Sequence, residues 1–362
     1  MSMSKHVLVA GGGIVGCLTA LELADRGCRV TLVERGEIAS QSSGEASWAG
    51  AGLLFPLLPW MYSDAVNKLT LTGASLYPRL CERLHSETGI DPEYQQSGLL
   101  ILPKFDTEAA LAWCDAHHIA TEPVPAGQLT VQSLSAGDGL WLPMVGQVRP
   151  PHLLQALRKA LEMNDVELLE HTELKPLPEI TRLNEWETVH GEKLRADKFV
   201  VTSGAWSFEL LRANAMKLNI KPMRGQILLY QQPAQELKHM VYREGFYLVP
   251  RKGGLLLAGS TLEDVGFDTT TTESVKSDLS AKAEAILPEL KGMPILKHWS
   301  GLRPGTPENL PTIAEHPMVE NLYLNTGHFR YGLTMAPCSS KMIAALICGE
   351  QPIHDAGPFA MS

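Results

Sequence analysis

The sequence lacks paired cysteines, long apolar runs and an excess of basic residues. Its six cysteines form no C-x-x-C pair and no cysteine–histidine cluster with zinc spacing, so we interpret them as small apolar residues in a reducing compartment. No run of about 20 apolar residues is present, which argues against a membrane-spanning helix. A formal net charge of -9 at pH 7 argues against a basic surface for nucleic acid.

The first apolar stretch, residues 6–24, lacks the features of a secretory signal. Glycines interrupt it, the acidic Glu22 and Asp25 lie at its end, and it has neither a basic leading region nor an A-x-A site. We therefore expect a cytoplasmic protein. The length of 362 residues, with 44% hydrophobic and 20% charged residues, is typical of a globular chain with room for two domains.

The N-terminal segment predicts a strand, a glycine turn, a helix and a second strand. Residues 6–10 are a short apolar run, typical of a strand buried on both faces. Residues 14–26 are rich in helix formers with apolar residues at helical spacing, and Gly27 is placed to end that helix. Residues 28–34 form a second run rich in β-formers.

The turn of this unit, residues 11–16 (GGGIVG), matches the G-x-G-x-x-G dinucleotide fingerprint. Gly11 permits the tight turn, Gly13 lets the backbone approach a pyrophosphate, and Gly16 lets the helix pack on the sheet. The helix N-terminus, with Ile14 and Val15, then offers free N–H groups to the phosphates.

Glu34 ends the second strand, where a carboxylate accepts hydrogen bonds from ribose hydroxyls. Its charge would repel a 2′-phosphate, which disfavours NADP. These residues leave NAD and FAD open, and the alternative is a glycine turn that binds no ligand.

The remaining pattern predicts two domains with interleaved chains. Residues 36–59 form a long stretch rich in small residues, of the kind that is usually functional inside a compact domain. Helices are predicted over 70–87, 108–118, 151–163, 274–287 and from 332 to about 348. Strands are predicted over 96–102, 198–203, 226–230, 245–250, 254–259 and 321–325. The closely spaced strands after residue 225 indicate an antiparallel meander.

Several motifs, taken together, resemble the glycine oxidase branch of the D-amino acid oxidase family of flavoproteins. The similarity covers nearly the whole chain and is carried by GGGIVG with Glu34 and Arg35, EASWAGAGLL (45–54), VVTSGAWS (200–207), YLVPR (247–251), WSGLRPGTPENLP (299–311) and TGHFRYGL (326–333).

The resemblance implies a mixed fold of α/β and α+β parts, in which a Rossmann-like FAD-binding domain is interleaved with a substrate domain built on an antiparallel sheet. We expect residues 1–85, 146–224 and 300–362 in the first and 86–145 and 225–299 in the second. The FAD is expected to be noncovalent, because the segment 303–310 has no cysteine to anchor it. The implied FAD contacts are Gly11, Gly13, Ile14, Val15, Gly16, Glu34, Arg35, Ser42, Ser43, Ala51, Gly52, Leu53, Leu174, Gly204, Trp206, His328, Phe329, Arg330, Tyr331, Gly332, Leu333 and Thr334.

Three residues are expected in the substrate pocket. The resemblance implies that Arg303 grips a substrate carboxylate, because a guanidinium can hold a carboxylate with two parallel hydrogen bonds. It implies that Tyr247 also reaches that carboxylate and that Arg330 extends into the pocket. The structural alternatives are an ion pair for Arg303, a core position for Tyr247, and pairing of Arg330 with a carboxylate near the flavin.

Other residues carry open alternatives. His328 is either an acid–base group or, more plainly, a backbone-positioned residue beside the flavin ring. The aromatic residues Trp48, Phe55 and Trp60 form either core or a substrate cage. Two positions depart from the family pattern: Tyr331 stands where glycine oxidases usually have asparagine, and Leu262 lies near the position of a pocket methionine.

The expected reaction is oxidation of a small amine that bears a carboxylate, namely glycine, sarcosine or a small D-amino acid. A hydride passes from the substrate Cα to flavin N5, the imine hydrolyses to the 2-oxo acid, and O2 is reduced to H2O2. The alternatives are a dehydrogenase with a quinone or protein acceptor and, less favoured, a tRNA-modifying flavin domain. No nucleic acid, metal or membrane span is expected, and the family suggests a homo-oligomer.

Overall fold

Short strands alternate with helices along the described chain, which comprises residues 4–40, 45–121, 139–232 and 237–361 of a computed structural model. The strands are β1 His6–Ala10, β2 Arg29–Val33, β3 Leu53–Leu54, β4 Gln95–Gln96, β5 Leu99–Ile101, β6 Leu140–Leu142, β7 Gly146–Gln147, β8 Glu167–Leu169, β9 Glu185–Glu187, β10 Lys193–Arg195, β11 Lys198–Val201, β12 Lys221–Gln231, β13 Met240–Arg243, β14 Phe246–Arg251, β15 Leu255–Gly259, β16 Ile295–Gly305, β17 Thr312–Glu315 and β18 Leu322–Thr326. The helices are α1 Ile14–Asp25, α2 Ala46–Ala49, α3 Asp64–Thr88, α4 Thr107–Ala116, α5 Pro150–Met163, α6 Ser207–Leu211, α7 Glu273–Ile286 and α8 Gly332–Cys348.

The first strand lies inside a six-stranded sheet with the order β17-β18-β11-β1-β2-β8. Its strands are parallel except β17, which pairs antiparallel with β18. Successive residues of β1 face opposite cores: Val7 and Val9 join one apolar cluster, and Leu8 and Ala10 join another. This alternation confirms the prediction of a strand buried on both faces.

Helices cover one face of this sheet and a small ribbon covers the other. The cluster on the helical side draws its residues from α1, α3, α5 and α8, and α8 contacts both α1 and α3. On the opposite face, the β9–β10 ribbon contributes the buried Trp186, which packs against Phe199 of β11. The sheet and its covering layers therefore form the predicted α/β part.

The second large sheet has seven strands in the order β16-β12-β15-β14-β13-β5-β6. The run β12-β15-β14-β13 is antiparallel, as predicted. The consecutive strands β13, β14 and β15 form a meander, whereas β12 pairs with β15 rather than with the next strand along the chain. Strand β5 pairs parallel with β13, so the sheet is mixed at that point.

Three strands of this sheet, β6, β13 and β16, were not predicted. The exposed Leu296 and Lys297 and the internal Pro304 of β16 obscure its pattern. Strand β13 is only four residues long and joins β14 through a tight turn.

Local signals explain where the predicted helices and strands begin or end differently. Helix α3 starts at Asp64 rather than at residue 70, because the Ser63 Oγ accepts a hydrogen bond from the Val66 N–H and caps the helix. The strand predicted over 96–102 is interrupted at Gly98, whose φ is +72°. The stretch 36–59 contains α2 and β3 rather than irregular chain alone.

The predicted division into two domains stays a prediction. Its boundaries at 224/225 and 299/300 lie inside β12 and β16, the two longest strands of the second sheet. Within the described ranges, no helix is both long enough and apolar enough to cross a membrane.

A close approach of α3 to α8 gives a test of the packing. A Cβ at Gly73 would lie 2.1 Å from the Thr334 carbonyl oxygen in the first turn of α8. Helix propensity alone predicts that Gly73→Ala stabilises the protein by about 1 kcal/mol. We expect instead a loss of about 1–3 kcal/mol in the free energy of unfolding, because the methyl group forces the helices apart.

Urea unfolding measures this change, and Ser75→Ala on the exposed face of the same helix is the control. An increase in stability for Gly73→Ala would contradict the packing.

Candidate active site

A cavity of about 710 Å³ lies where the two large sheets meet. Residues at the carboxyl ends of the parallel strands line one part of it, including Ala10 of β1, Val33 of β2 and Asn325 of β18. Tyr247 of β14 and Arg303 of β16 line the part that belongs to the second sheet. Ligands of open α/β sheets bind at this carboxyl edge.

The glycine turn opens α1 onto this cavity. Gly11, with φ +119°, lies so close to the chain that follows β11 that a Cβ would be 2.8 Å from the Ser203 Cα. Helix α1 follows Gly13 without a side-chain cap of its own. Instead, the Ile14 N–H donates to the Ser47 Oγ over 3.0 Å, and Val15 also lines the cavity. The predicted phosphate site is therefore a helix N-terminus that faces open space.

Gly16 lies beneath the cavity and is not among the residues that line it. A Cβ at Gly16 would come within 1.8 Å of the Gly11 carbonyl oxygen. This close approach agrees with the predicted packing of helix on sheet, and the predicted contact of Gly16 with FAD stays a prediction.

Glu34 is held rigidly at the next corner of the cavity. Its Oε2 accepts the Gly12 N–H at 2.7 Å and its Oε1 accepts the Gly36 N–H at 3.0 Å. Each carboxylate oxygen keeps a further lone pair for a ribose hydroxyl. The neighbouring Arg35 guanidinium stacks 4.0 Å above the Trp206 ring, and both residues line the same end of the cavity.

Leu174 offers its backbone to this end of the cavity. The hydrogen bonds that join its segment to the next one come from its neighbours, Lys175 N–H to Glu187 and Val189 N–H to Glu173. In such an antiparallel pair the N–H and C=O of Leu174 point away from the partner segment. This geometry leaves the backbone of Leu174 free to meet an adenine and so supports the predicted contact of Leu174 with FAD.

The loop Ala51–Leu53 is fixed to the second sheet by the buried Arg251. The Arg251 guanidinium donates to the Ala51 carbonyl, to the Val148 carbonyl over 2.8 Å and to Gln147 Oε1 over 2.6 Å. Burial lowers the pKa of Arg251 to about 9. Gly52 fits beneath it only because it lacks a Cβ, which would lie 2.0 Å from the Val148 oxygen.

A second helix N-terminus opens on the same cavity. Helix α8 begins at Gly332 without a side-chain cap, and Gly332, Leu333 and Thr334 all line the cavity. The Thr334 hydroxyl donates to the Leu53 carbonyl over 3.2 Å and so ties this helix end to the start of β3. The positive end of the α8 dipole therefore faces the cavity as the end of α1 does.

His328 lies just before this helix and is almost completely buried. Burial lowers its pKa to about 3, so the imidazole is neutral at physiological pH. Its Nε2 has no hydrogen-bond partner among the described residues. A neutral, buried imidazole disfavours the acid–base alternative, and the unpartnered nitrogen is suited to contact with a ligand.

The Arg303 side chain is only partly exposed, and it lines the cavity. Its Nη2 donates to Ser260 Oγ over 2.7 Å and its Nη1 donates to the Thr261 carbonyl over 3.1 Å. Burial lowers the pKa of the guanidinium; the adjacent Tyr247 opposes this effect and the charge of Arg330 adds to it. A cation held with so little solvent interacts strongly with an anion that reaches it.

Tyr247 and Arg330 complete the end of the cavity around Arg303. Tyr247 is buried on β14, and Arg330 is exposed and lies beside the Phe329 ring. Among the described residues, no carboxylate lies within ion-pair distance of Arg330, so the structural alternative of a carboxylate partner finds no support. These three residues remain the predicted substrate contacts.

The cavity brings together nearly all predicted site residues of the described chain. Besides those placed above, Gly204, Phe329 and Tyr331 line it. Ser42 and Ser43 lie outside the described residues. Sequence reasoning missed Ser47, Arg251, Ser260, Thr261 and Glu263 as members of the site.

Two of the missed residues lay in motifs that the sequence had already singled out. Ser47 belongs to the small-residue stretch, and Arg251 ends the YLVPR motif. No local signal marks Ser260, Thr261 or Glu263, because their role depends on a contact with a strand 40 residues away along the chain.

The structure distinguishes the two interpretations of Trp48, Phe55 and Trp60, which were core residues or a substrate cage. Phe55 lines the cavity and is buried against Trp113, at 6.2 Å between ring centres. Trp48 packs on Trp299 and Trp60 packs on Phe105, and neither is among the cavity-lining residues. Trp48 and Trp60 therefore serve packing rather than a substrate cage.

Both residues that depart from the family pattern, Tyr331 and Leu262, line the cavity. The Tyr331 hydroxyl contacts the Leu57 carbonyl over 3.1 Å and the Tyr62 hydroxyl over 2.9 Å. Leu262 lines the cavity and is partly exposed.

These residues fit FAD. The cavity has the size of a cofactor site, for which about 300–1,000 Å³ is usual. Glycines 11 and 13 leave room for a phosphate against an uncapped helix, and the unpartnered His328 Nε2 lies near the second uncapped helix. Glu34 and Leu174 present acceptors and backbone groups suited to an adenosine.

The comparisons with known proteins agree with this fit. The sequence profile of the family described as FAD dependent oxidoreductase matches residues 6–346. A glycine oxidase of Pseudomonas aeruginosa is 44% identical over 364 aligned positions, which cover 99% of each chain. A glycine oxidase of Pseudomonas putida is 40% identical and covers 99% of this chain and 98% of its own. The crystal structure of glycine oxidase from Bacillus cereus has a TM-score of 0.88 at 27% identity, with 99% of both chains covered.

These matches confirm the predicted resemblance, the mixed α/β fold class and the FAD cofactor. They leave the roles of individual site residues to experiment.

Arg251 gives a test of how the cofactor loop is held. Arg251→Met removes the donors to Ala51, Val148 and Gln147, so the loop Ala51–Leu53 loses its anchor. We expect the FAD dissociation constant to rise about tenfold or more, the equivalent of a lost charge-assisted hydrogen bond. Reconstitution of the apoprotein, followed by flavin fluorescence, measures this constant.

Lys252→Met is the matched control, because Lys252 is exposed and pairs only with Asp91 at the surface among the described residues. Equal FAD affinity for the two variants would show that Arg251 does not anchor the loop.

The buried His328 predicts a pH dependence of stability. Because its pKa falls from 6.5 to about 3 on folding, the unfolded chain binds the proton first as the pH drops. His328 therefore costs no stability above pH 6.5 and about 1.4 kcal/mol per pH unit below it, until about pH 3. The free energy of unfolding of the wild type should fall more steeply than that of His328→Asn between pH 6.5 and 5.

Urea unfolding at several pH values measures the two slopes, with the exposed His190→Asn as the control. Parallel curves for the wild type and His328→Asn would contradict a buried neutral imidazole.

Proposed function

The chain belongs to the family of FAD-dependent oxidoreductases and acts in the oxidative deamination of amino acids, and we propose that its substrates are glycine, sarcosine and small D-amino acids. The observation that carries this proposal is the placement of Arg303. This buried guanidinium lies in the same cavity as both uncapped helix N-termini, so a carboxylate bound to it is held beside the cofactor. The similarity to glycine oxidases of two Pseudomonas species supports the same substrate class.

We assign the FAD to residues that line the cavity. Glu34 and Leu174 hold the adenosine, the start of α1 with Gly11 and Gly13 holds the pyrophosphate, and the start of α8 holds the flavin ring. When bound, the flavin accepts a hydride from the substrate Cα and passes the electrons to an acceptor.

The substrate carboxylate is assigned to Arg303 and Tyr247. The guanidinium offers N–H groups in a rigid fork, and its orientation is already fixed by Ser260 and Thr261. The Tyr247 hydroxyl supplies a neutral hydrogen bond, and its ring forms a wall of the pocket. Fixing the carboxylate at these two points orients the Cα of a small substrate, and such orientation can supply several kcal/mol of the barrier.

No protonated acid–base side chain is assigned near the substrate. His328 is neutral near pH 7, because burial lowers its pKa to about 3. The proposed substrate therefore reacts as the free amine, and the chain binds and orients it without a general base.

Pocket size favours small side chains. Phe55 and Tyr247 are buried around the cavity, and the Tyr331 hydroxyl is held by Leu57 and Tyr62. Arg330 lies at the exposed side and supplies a second cation that attracts an anionic substrate toward Arg303.

The proposal includes molecular oxygen as the electron acceptor, a cytoplasmic location and association of several copies. The six free cysteine thiols are compatible with a reducing compartment. Mixing the reduced protein with air-saturated buffer or with a quinone in a stopped-flow instrument distinguishes an oxidase from a dehydrogenase.

Anaerobic bleaching of the flavin band tests the substrate class and the role of Arg303. Glycine, sarcosine and D-alanine should reduce the flavin, and L-amino acids should not. Arg303→Ala should keep its FAD but require about 100-fold more glycine for half-maximal reduction, because removal of one partner of a buried charge pair costs 2–5 kcal/mol.

Lys297→Ala, an exposed substitution on the same strand β16, is the control. No bleaching by any of these amines while FAD remains bound would overturn the proposed substrate class. An unchanged glycine requirement in Arg303→Ala would remove Arg303 from the site.

A further inference from the structure

The guanidinium of Arg303 rests directly on the backbone of β12. The register pairs Arg303 of β16 with Met223, and Gly225 lies two residues further along the same face. A Cβ at Gly225 would be 2.1 Å from Arg303 Nη1, 2.4 Å from Nη2 and 2.5 Å from Cζ. All three distances are below any real contact with a Cβ, so the guanidinium occupies the volume that a side chain at 225 would take.

The segment 260–263 supplies the hydrogen-bond acceptors for this guanidinium. It follows β15 and folds back onto β12, where the Glu263 and Arg224 backbones exchange two hydrogen bonds of 2.9 Å. The Gln226 N–H also donates to Thr261 Oγ1 over 2.9 Å. These bonds fix Ser260 Oγ and the Thr261 carbonyl in place at 2.7 and 3.1 Å from the two terminal nitrogens of Arg303.

A buried ion pair holds the far end of that segment. Glu263 accepts hydrogen bonds from Arg224 Nη2 at 2.7 Å, from Thr261 Oγ1 at 2.5 Å and from Gln226 Nε2 at 3.0 Å. Burial opposes its ionisation, but these three donors hold the pKa of Glu263 below its usual value. The Glu263 carboxylate is therefore charged, and its oxygens are occupied by these three donors. It does not compete with a substrate for Arg303.

We propose that Gly225 and the segment Ser260–Thr261 form a seat that fixes the Arg303 fork, with Ser260 as a positioning residue for the substrate carboxylate. The inference rests on the proposed function, in which Arg303 binds that carboxylate. Gly225 leaves room for the guanidinium to lie flat, and the two acceptors decide which of its N–H groups remain for the substrate. A preset fork loses little rotamer freedom when the carboxylate binds, which raises the affinity for it.

Carboxylate binding to the FAD-loaded protein tests the seat. Glycolate has the carboxylate of glycine without the amine, and its dissociation constant is measured from the change in flavin absorbance. Ser260→Ala should raise this constant and the KM for glycine about tenfold, with a much smaller change in kcat. Ser260→Thr, which restores a hydroxyl, should recover most of the affinity.

Gly225→Ala tests the same seat from the backbone side and should weaken glycolate binding at least as much as Ser260→Ala. Ser300→Ala is the matched control. It removes a buried hydroxyl from β16, the strand that carries Arg303. That hydroxyl donates to the Thr269 carbonyl, and Ser300 is not among the cavity-lining residues. Thermal unfolding and FAD content verify that each variant is folded.

The outcomes separate this inference from the proposed function. Weaker binding in Arg303→Ala and Ser260→Ala, but not in Ser300→Ala, supports both. Weaker binding in Arg303→Ala with wild-type binding in Ser260→Ala overturns the seat and leaves the proposed function intact. No effect of Arg303→Ala, or no response of the wild type to glycolate and glycine, overturns the proposed role of Arg303 itself.

Discussion

Two helix N-termini face one cavity without side-chain caps, and the arrangement of the site follows from this constraint. Strands β1 and β18 are parallel members of one sheet, so the helices that follow them both begin at the carboxyl edge of that sheet. The Ile14 N–H of α1 already donates to Ser47 Oγ. The other N–H groups at the two helix starts need acceptors, and a cofactor with a pyrophosphate and a polar ring system supplies them. The glycines at 11, 13 and 332 keep side chains out of that space.

The second sheet adds what the first cannot provide, a cation for a carboxylate. Arg303 reaches the cavity from β16, and the desolvation of its charge is compensated by Ser260, Thr261 and, when bound, an anionic ligand. Arg251 anchors the cofactor loop by donating hydrogen bonds to the Ala51 and Val148 carbonyls and to the side-chain amide of Gln147. Two buried arginines thus connect the substrate end and the cofactor end of the cavity to the same sheet.

The sequence predicted those parts of the fold that depend on neighbouring residues. The unit β1-α1-β2 follows from an apolar run, a glycine turn and helical spacing, and Glu34 marks its end. Strand β16 was missed because its exposed and proline-containing ends have no clear alternation. Its partner is β12, about 75 residues earlier along the chain, and the pairing is set by long-range contacts. The capping serine at 63 was a readable signal for the start of α3.

The site residues likewise fall into those that the sequence predicted and those that depend on long-range contacts. The motifs predicted Arg303, Tyr247 and the residues of the two helix N-termini, and the cavity brings them together. No pattern marked Gly225 or Ser260, because a missing Cβ has meaning only once the Arg303 guanidinium lies against it. Residues that position a functional group from another strand depend on tertiary register, which a single sequence does not display.

The most direct test is a crystal structure of the FAD-loaded protein with glycolate bound. The account predicts the pyrophosphate at the start of α1, the flavin ring at the start of α8 and the glycolate carboxylate on the Arg303 fork between Tyr247 and the ring. A carboxylate bound away from Arg303, or a flavin ring placed at the Glu34 end of the cavity, would contradict it.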